Sequence, residues 1–288
     1  VLATTVVKAA RWHVLLRTCS TRATAMRSLR VLLIGQRGNS WLPVRAGDVA
    51  RAALIGPQTV GGFTAVLGTI VVEKTLDAVM GLAVLVGLVL WTPLPSWLRQ
   101  VFVVLGVVTC ALLVVLALAA TQRERAERVV HGLNRKAPAS GQARVARMLS
   151  GLAMGLSLFR MPAAACLALA LSVGVWSLAA LTNVVTLAAL DIRAPGWSTW
   201  LILVTGYVAT FLPTVPAQVG VFEYACVLAL TAAGVDPGPA LAFGLVLHLL
   251  VLLPPAVLGP ISMGYEGLGW NRLKDAQHQH LEQDGVHS

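Results

Sequence analysis

Long apolar runs without charged residues constrain this chain more than any other feature of its sequence. Four such runs are Ala78–Leu90, Val101–Ala120, Ala163–Leu190 and Gly238–Met263. An α-helix rises about 1.5 Å per residue, so roughly 20 apolar residues are needed to cross the hydrocarbon core of a bilayer. Only 12% of the residues are charged, which is about half the share found in soluble domains. The sequence therefore predicts an all-α, polytopic helical membrane protein.

The basic residues lie mainly in the connections between the apolar runs. Two connections, Arg17–Arg30 and Thr121–Arg147, carry most of the arginines and are expected on the cytoplasmic side. The short, uncharged Trp91–Trp97 stretch is typical of a turn at the outer face. This distribution accounts for the net charge of +10 without a nucleic-acid partner, so none is expected.

The stretch between Val31 and Ile55 must leave the cytoplasmic face and return to it within about 25 residues. Two full spans would need roughly 40 residues, so a re-entrant hairpin of two half-length helices is predicted, with its tip near Leu42–Pro43. Irregular backbone at that depth must be covered by protein or must line a wet cavity. The hairpin therefore predicts a cavity.

A second pair of half-length helices, Thr199–Phe211 and Val221–Gly234, is interrupted by the proline-containing stretch Leu212–Gly220. If the last apolar run returns to the cytoplasm, this second hairpin enters from the outside. Two re-entrant hairpins in an inverted-repeat arrangement are typical of transporters that bind substrate near the midplane. The alternative is a proline-kinked helix bundle without a transport function.

The first hairpin carries four polar residues at or beside its expected tip, namely Asn39, Arg45, Asp48 and Arg51. Asp48 is three residues from each arginine, so it can pair with either on one flank of a helix. The surplus positive charge and the N–H donors of a helix N-terminus make an anion site. In a second interpretation the ion pairs only hold the hairpin together.

The long helix that begins near Gly62 contains Glu73, Lys74 and Asp77. Glu73 lies about 16 Å along that helix, near mid-membrane, where unpaired charges are costly. Glu73 and Asp77 are four residues apart and share a face that could meet Arg45 or Arg51. The alternative is a buried ion-pair network that joins helices.

In the second hairpin, Pro213, Pro216 and Gly220 break the helix, and Glu223 follows in the next first turn. Glu223 is expected either to cap free N–H groups or to contact substrate. Gln218 is a candidate cavity-lining residue, and His248 is expected to be a hydrogen-bonded structural residue. The four cysteines are scattered without metal-binding spacing, so no metal and no cofactor is expected.

Together these motifs resemble the flippase-like membrane domain of lysylphosphatidylglycerol synthases, as found in free-standing members that lack the cytosolic synthase domain. The resemblance extends from Val1 to about Met263 and implies translocation of lipids with modified headgroups, such as aminoacylated phosphatidylglycerol, in a bacterial plasma membrane. It also implies a further span before Val1, so residues 1–263 are the expected membrane domain, with its first span truncated or missing. The polar residues 264–288 are expected to be a disordered tail.

Some positions depart from the pattern of the family. Asp48 stands where Glu is usual and Lys74 where Arg is usual, and both substitutions keep the charge. Ala217–Gln218 replace a common Gly-Gly pair, and His248 replaces an Arg. These last departures leave the second half of the site, and the identity of the substrate, open.

The leading hypothesis is translocation of a lipid with an anionic or modified headgroup between leaflets. One alternative is a membrane-embedded headgroup transferase with Glu73 or Asp77 as general base, although the sequence contains no recognised catalytic motif. Another is a scaffold for a separate lipid synthase. Expected partners are a phospholipid or other lipid-linked substrate, that synthase, and a second copy of the chain. The candidate substrate-binding residues are Asn39, Arg45, Asp48, Arg51, Glu73, Lys74, Asp77, Gln218 and Glu223, and the candidate hairpin residues are Gly35, Pro43, Gly47, Pro213, Pro216 and Gly220.

Overall fold

The computed structural model of this chain describes residues 1–41, 46–92, 94–121, 161–209 and 216–267. All regular elements in these ranges are helical, which confirms the predicted all-α class for this part of the chain. Two 3-10 turns, Gly56–Gln58 and Pro216–Gln218, accompany the α-helices. The α-helices are α1 (Leu2–Arg17), α2 (Ala25–Trp41), α3 (Ala46–Ile55), α4 (Gly62–Trp91), α5 (Ser96–Thr121), α6 (Pro162–Ala189), α7 (Ser198–Ala209), α8 (Val221–Ala232) and α9 (Pro237–Tyr265).

Three of the described helices, α4, α6 and α9, are long and apolar enough to cross a membrane. They contain 30, 28 and 29 residues, which corresponds to lengths of about 42–45 Å. Each exceeds the roughly 30 Å hydrocarbon core of a bilayer. These helices provide the frame against which the shorter helices pack.

Helices α2 and α3 form an antiparallel hairpin. The Arg22 backbone N–H donates to the Gln58 carbonyl at 2.9 Å, so the two ends of the hairpin lie side by side. The helices approach closely because glycines face each other: a Cβ on Gly47 would collide with the carbonyl oxygen of Gly35, and one on Gly38 would lie 2.8 Å from Gly47 Cα. The predicted tip at Leu42–Pro43 lies outside the described residues.

Helix α2 begins six residues before the predicted start at Val31. Arg27 and Arg30, which were predicted to lie in a connection, extend the helix, and both bind Glu266 at the end of α9, at 2.9 and 3.0 Å. The Glu266 carboxylate thereby offsets one of the two positive charges within the helix assembly. The same contacts bring the C-terminus of α9 next to the basic start of α2.

Helices α7 and α8 pack against each other and contain 12 residues each. Each is about 18 Å long, which is too short to cross a bilayer. A Cβ added at Gly206 in α7 would lie 3.6 Å from the Phe222 ring in α8, so the two helices are close at their interrupted ends. Part of the interruption, residues 210–215 with Pro213, lies outside the described ranges.

The two helix pairs pack against opposite halves of α4. One apolar cluster joins α1, α2 and α3 to Val66 and Ile70 in the N-terminal half of α4. Another joins α7, α8 and α9 to Leu85 and Leu88 in its C-terminal half. The charged stretch of α4 around Glu73 lies between these two clusters.

Helix α9 contains three internal prolines, and one of them leaves a backbone carbonyl that binds a side chain of another helix. Pro260 has no N–H, so the carbonyl of Ala256 lacks its usual bond four residues along the helix. Arg37 Nη1 in α2 donates to that oxygen at 3.3 Å. Gly259 makes room for the Arg37 stem, since a Cβ there would lie 3.0 Å from Arg37 Cδ.

Candidate functional site

Two arginines and two carboxylates form an ion-pair network in the centre of the helix assembly. Glu73 and Asp77 are one turn apart on α4 and face the same direction. Arg51 Nη2 of α3 donates to Glu73 Oε2 at 2.6 Å, and Arg11 Nη1 of α1 donates to Asp77 Oδ1 at 2.6 Å. Arg11 Nη2 donates to Asp77 Oδ2 at 3.2 Å and lies 3.6 Å from Glu73 Oε1. The network therefore connects three helices.

Arg51 has further contacts that fix its position. Its Nη1 donates to Asp48 Oδ1 at 3.3 Å, and its guanidinium carbon lies 4.0 Å from the centre of the Trp12 ring. The Trp12 indole N–H in turn donates to Thr69 Oγ1 at 3.3 Å. A guanidinium suits this position because it can bind carboxylates and stack on an aromatic face at once.

Asn39 and Asp48 link the two helices of the first hairpin. Asn39 Nδ2 donates to Asp48 Oδ1 at 3.1 Å, and the Asp48 backbone N–H donates to Asn39 Oδ1 at 3.2 Å. Asp48 lies in the first turn of α3, where free N–H groups are common and an acceptor stabilises the helix. The pair fixes α2 against α3.

Burial makes this network energetically demanding. Arg11, Arg51 and Glu73 are respectively 0%, 3% and 4% exposed. An isolated buried ion costs several kcal/mol, so charges persist there only with close partners. Arg11 also donates to Ser172 Oγ of α6 at 3.0 Å. The network thus joins α1, α3, α4 and α6.

A cavity of about 420 Å³ adjoins the network, and that volume is within the usual range for small-molecule sites. Its wall comes from α1, α2, α4, α6, α7, α8, α9 and the Pro216–Gln218 turn, so both helix pairs contribute to it. Apolar residues such as Val175, Leu203 and Val251 line much of it. Its side chains that are charged or carry an amide or imidazole are Lys8, Gln36, Asn39, Lys74, Asp77, Asn183, Gln218 and His248.

Glu223 has a capping role at the start of α8. Its Oε2 accepts the Gly220 N–H at 2.7 Å, and its Oε1 lies 2.6 Å from His248 Nδ1. The His248 ring also packs on Phe222, with ring centres 4.7 Å apart. The expected hydrogen bonding of His248 is therefore present, and the histidine closes one side of the cavity.

The turn before α8 has unusual backbone geometry. Ala217 and Gln218 have φ values of +59° and +57°, and Gly220 has +88°. Residues with a Cβ rarely adopt this left-handed conformation, which costs them about 1 kcal/mol or more. Gln218 and Ala217 nevertheless both line the cavity, so the strained turn is part of its wall.

The structure places the predicted site residues in different parts of the helix assembly. Asn39, Lys74, Asp77 and Gln218 line the cavity. Asp48, Arg51 and Glu73 belong to the network beside it, and Glu223 reaches the cavity only through His248. Gly35 and Gly47 provide the close approach of α2 and α3, and Pro216 begins the 3-10 turn. Arg45, Pro43 and Pro213 lie outside the described residues.

Sequence reasoning missed Lys8 and Arg11 as site residues. They lie three apart on α1, so they share a helix face, and Lys8 lines the cavity while Arg11 anchors Asp77. Two basic residues at this spacing in an apolar helix could have identified them as site residues, because such charges require partners in a membrane. Within the described ranges, no group of three or more His, Cys, Asp or Glu could hold a metal ion.

A family model described as "Lysylphosphatidylglycerol synthase TM region" matches residues 1–259 of the 288 in this chain. The match includes every residue of the network and of the cavity. No curated protein and no solved structure matches the chain.

Proposed function

This chain belongs to the lysylphosphatidylglycerol synthase TM region family, and from that premise we propose that it moves lipids with anionic or modified headgroups between bilayer leaflets. The class includes lipids similar to aminoacylated phosphatidylglycerol. The headgroup would occupy the cavity while the acyl chains remain in the bilayer. The proposed location is the plasma membrane of a bacterial cell.

The proposed topology has two re-entrant hairpins, α2–α3 from the cytoplasmic face and α7–α8 from the other, arranged as an inverted repeat. Three observations support it: α3, α7 and α8 are too short to cross a bilayer, the two pairs pack on opposite halves of α4, and both reach one cavity. Substrate sites of transporters typically lie where such repeats meet.

The observation that carries the proposal is the position of charged residues in the cavity wall. Lys74 and Asp77 lie about 18–23 Å along α4 from Gly62, well inside a bilayer-spanning length, and both line the cavity. Ionisable residues at that depth are costly and mark substrate pathways in membrane proteins. A purely structural helix bundle would not need a cavity beside them.

We assign headgroup contact to Asn39, Lys74, Asp77 and Gln218, because these residues line the cavity. The ion pairs of Arg51 with Asp48 and Glu73 would hold the helices together when the cavity is empty. Arg45 is also assigned to headgroup contact, on the basis of its position in the sequence of the first hairpin alone.

Filling the cavity tests the proposal directly. The change is Ala179→Trp in α6, where Ala179 lines the cavity. The purified variant is assayed in vesicles with a fluorescent phosphatidylglycerol whose leaflet can be determined. Its translocation rate should fall at least about tenfold, because the indole occupies the space that the headgroup needs. The matched control is Ala170→Trp on the same helix, where the side chain is exposed. This control should retain the rate of the unaltered protein.

Equal rates for the two tryptophan variants would remove the cavity from the transport route. A background rate for the unaltered protein would contradict translocation itself and favour the scaffold. A new lipid species in the mass spectrum of expressing cells would instead favour the headgroup transferase.

A further inference from the structure

Two cavity-lining cations have no direct anionic partner in the part of the chain that the structure describes. Lys8 of α1 and Lys74 of α4 both line the cavity, and neither forms a hydrogen bond or ion pair with another described residue. Both lysines share the cavity wall with Asp77, whose two oxygens are taken by Arg11. A partly buried ammonium group without an anionic partner is energetically unfavourable. A ligand that supplies the opposite charge would remove this cost.

The carboxylates near these lysines are already occupied. Asp77 accepts from Arg11 with both oxygens, and Glu73 accepts from Arg51 and lies beside Arg11. Asp48 is bound to Arg51 and Asn39, and Glu223 to His248 and the Gly220 N–H. Each carboxylate of the network and of the cavity wall therefore already has a partner other than Lys8 or Lys74.

Two segments outside the described ranges interrupt the helix pairs. Residues 42–45 and 210–215, which interrupt the two helix pairs, contain no Asp or Glu. They contain one further cation, Arg45. The sequence of these two segments therefore offers the two lysines no further carboxylate.

We propose that the site selects a lipid of net negative charge, with its phosphodiester bound between Lys8 and Lys74, and disfavours a lysyl-esterified headgroup. This inference rests on the proposed translocation function and narrows its substrate class. A phosphodiester supplies the missing negative charge and accepts charge-assisted hydrogen bonds from both ammonium groups. A lysyl ester adds two ammonium groups to the same headgroup, and no unoccupied carboxylate in the described wall can receive them.

The test measures binding and transport separately. Dioctanoyl-phosphatidylglycerol and its lysyl ester are titrated by calorimetry onto the purified full chain in detergent, and both lipids are followed in the vesicle assay. We expect at least about tenfold tighter binding and faster transport of the unmodified lipid. The variant Lys8→Met with Lys74→Met should lose at least about tenfold of this binding. The variant Lys8→Arg with Lys74→Arg should retain most of it, because the two positive charges remain.

A matched control removes two positive charges elsewhere. Arg99 and Arg193 are exposed and do not line the cavity, so Arg99→Met with Arg193→Met should bind and transport like the unaltered chain. Thermal melting of each variant identifies a folding defect. The conservative arginine pair then distinguishes lost charge from lost structure.

Each result has a defined meaning. Equal or tighter binding of the lysyl ester, or unchanged binding in the methionine pair, would overturn the inference even if transport occurs. Selective binding without transport of either lipid would contradict the proposed function and leave the charge selectivity standing. Glycerophosphoglycerol, which has the phosphodiester but no acyl chains, should bind at least about tenfold more weakly; equal affinity would indicate a soluble ligand and overturn the lipid assignment.

Discussion

The sequence and the structure suggest different roles for Arg51. Its position near a helix start predicts a candidate anion binder, but its donors are directed at Glu73 and Asp48 and its guanidinium stacks on Trp12. An incoming anion would have to compete with two carboxylates for those donors. At the residue scale, Arg51 is therefore better suited to holding α3 on α4 than to holding a headgroup.

This interpretation predicts a large loss of stability when the guanidinium is removed. Arg51→Met should reduce the free energy of unfolding by about 3–5 kcal/mol, because it leaves buried Glu73 without its closest partner. Thermal melting of the purified protein, followed by fluorescence-detected gel filtration, measures the effect. Arg17→Met is the control, since Arg17 is exposed at the end of α1 and should shift stability by no more than about 0.5 kcal/mol. Similar melting of both variants would show that the pair contributes little.

At the scale of elements, the first hairpin depends on glycine rather than on large apolar side chains. Gly35 and Gly47 face each other so closely that backbone contacts backbone, and Asn39 with Asp48 adds hydrogen bonds beyond that point. Four residues of sequence separate the end of α2 from the start of α3. The tight approach lets Arg51 pass alongside α2 to reach α4.

The hairpin should therefore be intolerant of a methyl group at its contact. Gly47→Ala should destabilise the protein by at least about 2 kcal/mol, because the obstacle is a main-chain oxygen that cannot move aside cheaply. Gly264→Ala in α9 is the matched control, since a Cβ there meets nothing within 4 Å. Chemical denaturation in detergent compares the two. A neutral Gly47→Ala would mean that α2 and α3 separate more easily than the geometry indicates.

The sequence predicted the two short helix pairs because counting residues against bilayer thickness is a geometric constraint that needs no tertiary information. It also paired the acidic face of α4 with the first hairpin, and the structure brings Glu73 and Arg51 together. It could not assign Lys8 and Arg11, because their role depends on which face of α1 meets α4 and α6. Ala217 and Gln218 adopt a left-handed conformation that favours glycine, and the chain itself carries no local signal for that geometry.

In the whole molecule, three distant parts of the sequence meet at one end of the helix assembly, which is rich in arginine. The Arg22 N–H binds the Gln58 carbonyl, and Arg27 and Arg30 bind Glu266 after α9. Asp236, in the turn before α9, lies at the other end of that 29-residue helix, about 44 Å away. A chain with this arrangement in a bilayer would expose the two ends to opposite compartments.

Cysteine labelling in cells tests this topology. In a chain whose four cysteines are replaced by alanine, a membrane-impermeant maleimide should label Asp236→Cys in intact cells. Arg22→Cys and Val60→Cys should react only after permeabilisation, because the hairpin between them begins and ends at the same basic end. All three positions are exposed. Labelling of Arg22→Cys and Val60→Cys from opposite sides would show that the first helix pair crosses the membrane.

The hydrogen bond from Arg37 to the Ala256 carbonyl limits how far α2 and α9 can move apart. Pro260 deprives that oxygen of its partner within α9, so Arg37 is the donor that the structure gives it. Separating α2 from this part of α9 would therefore strand both a carbonyl and a cation. A rearrangement that serves the proposed translocation is therefore expected to rotate the helices about this contact rather than to separate them.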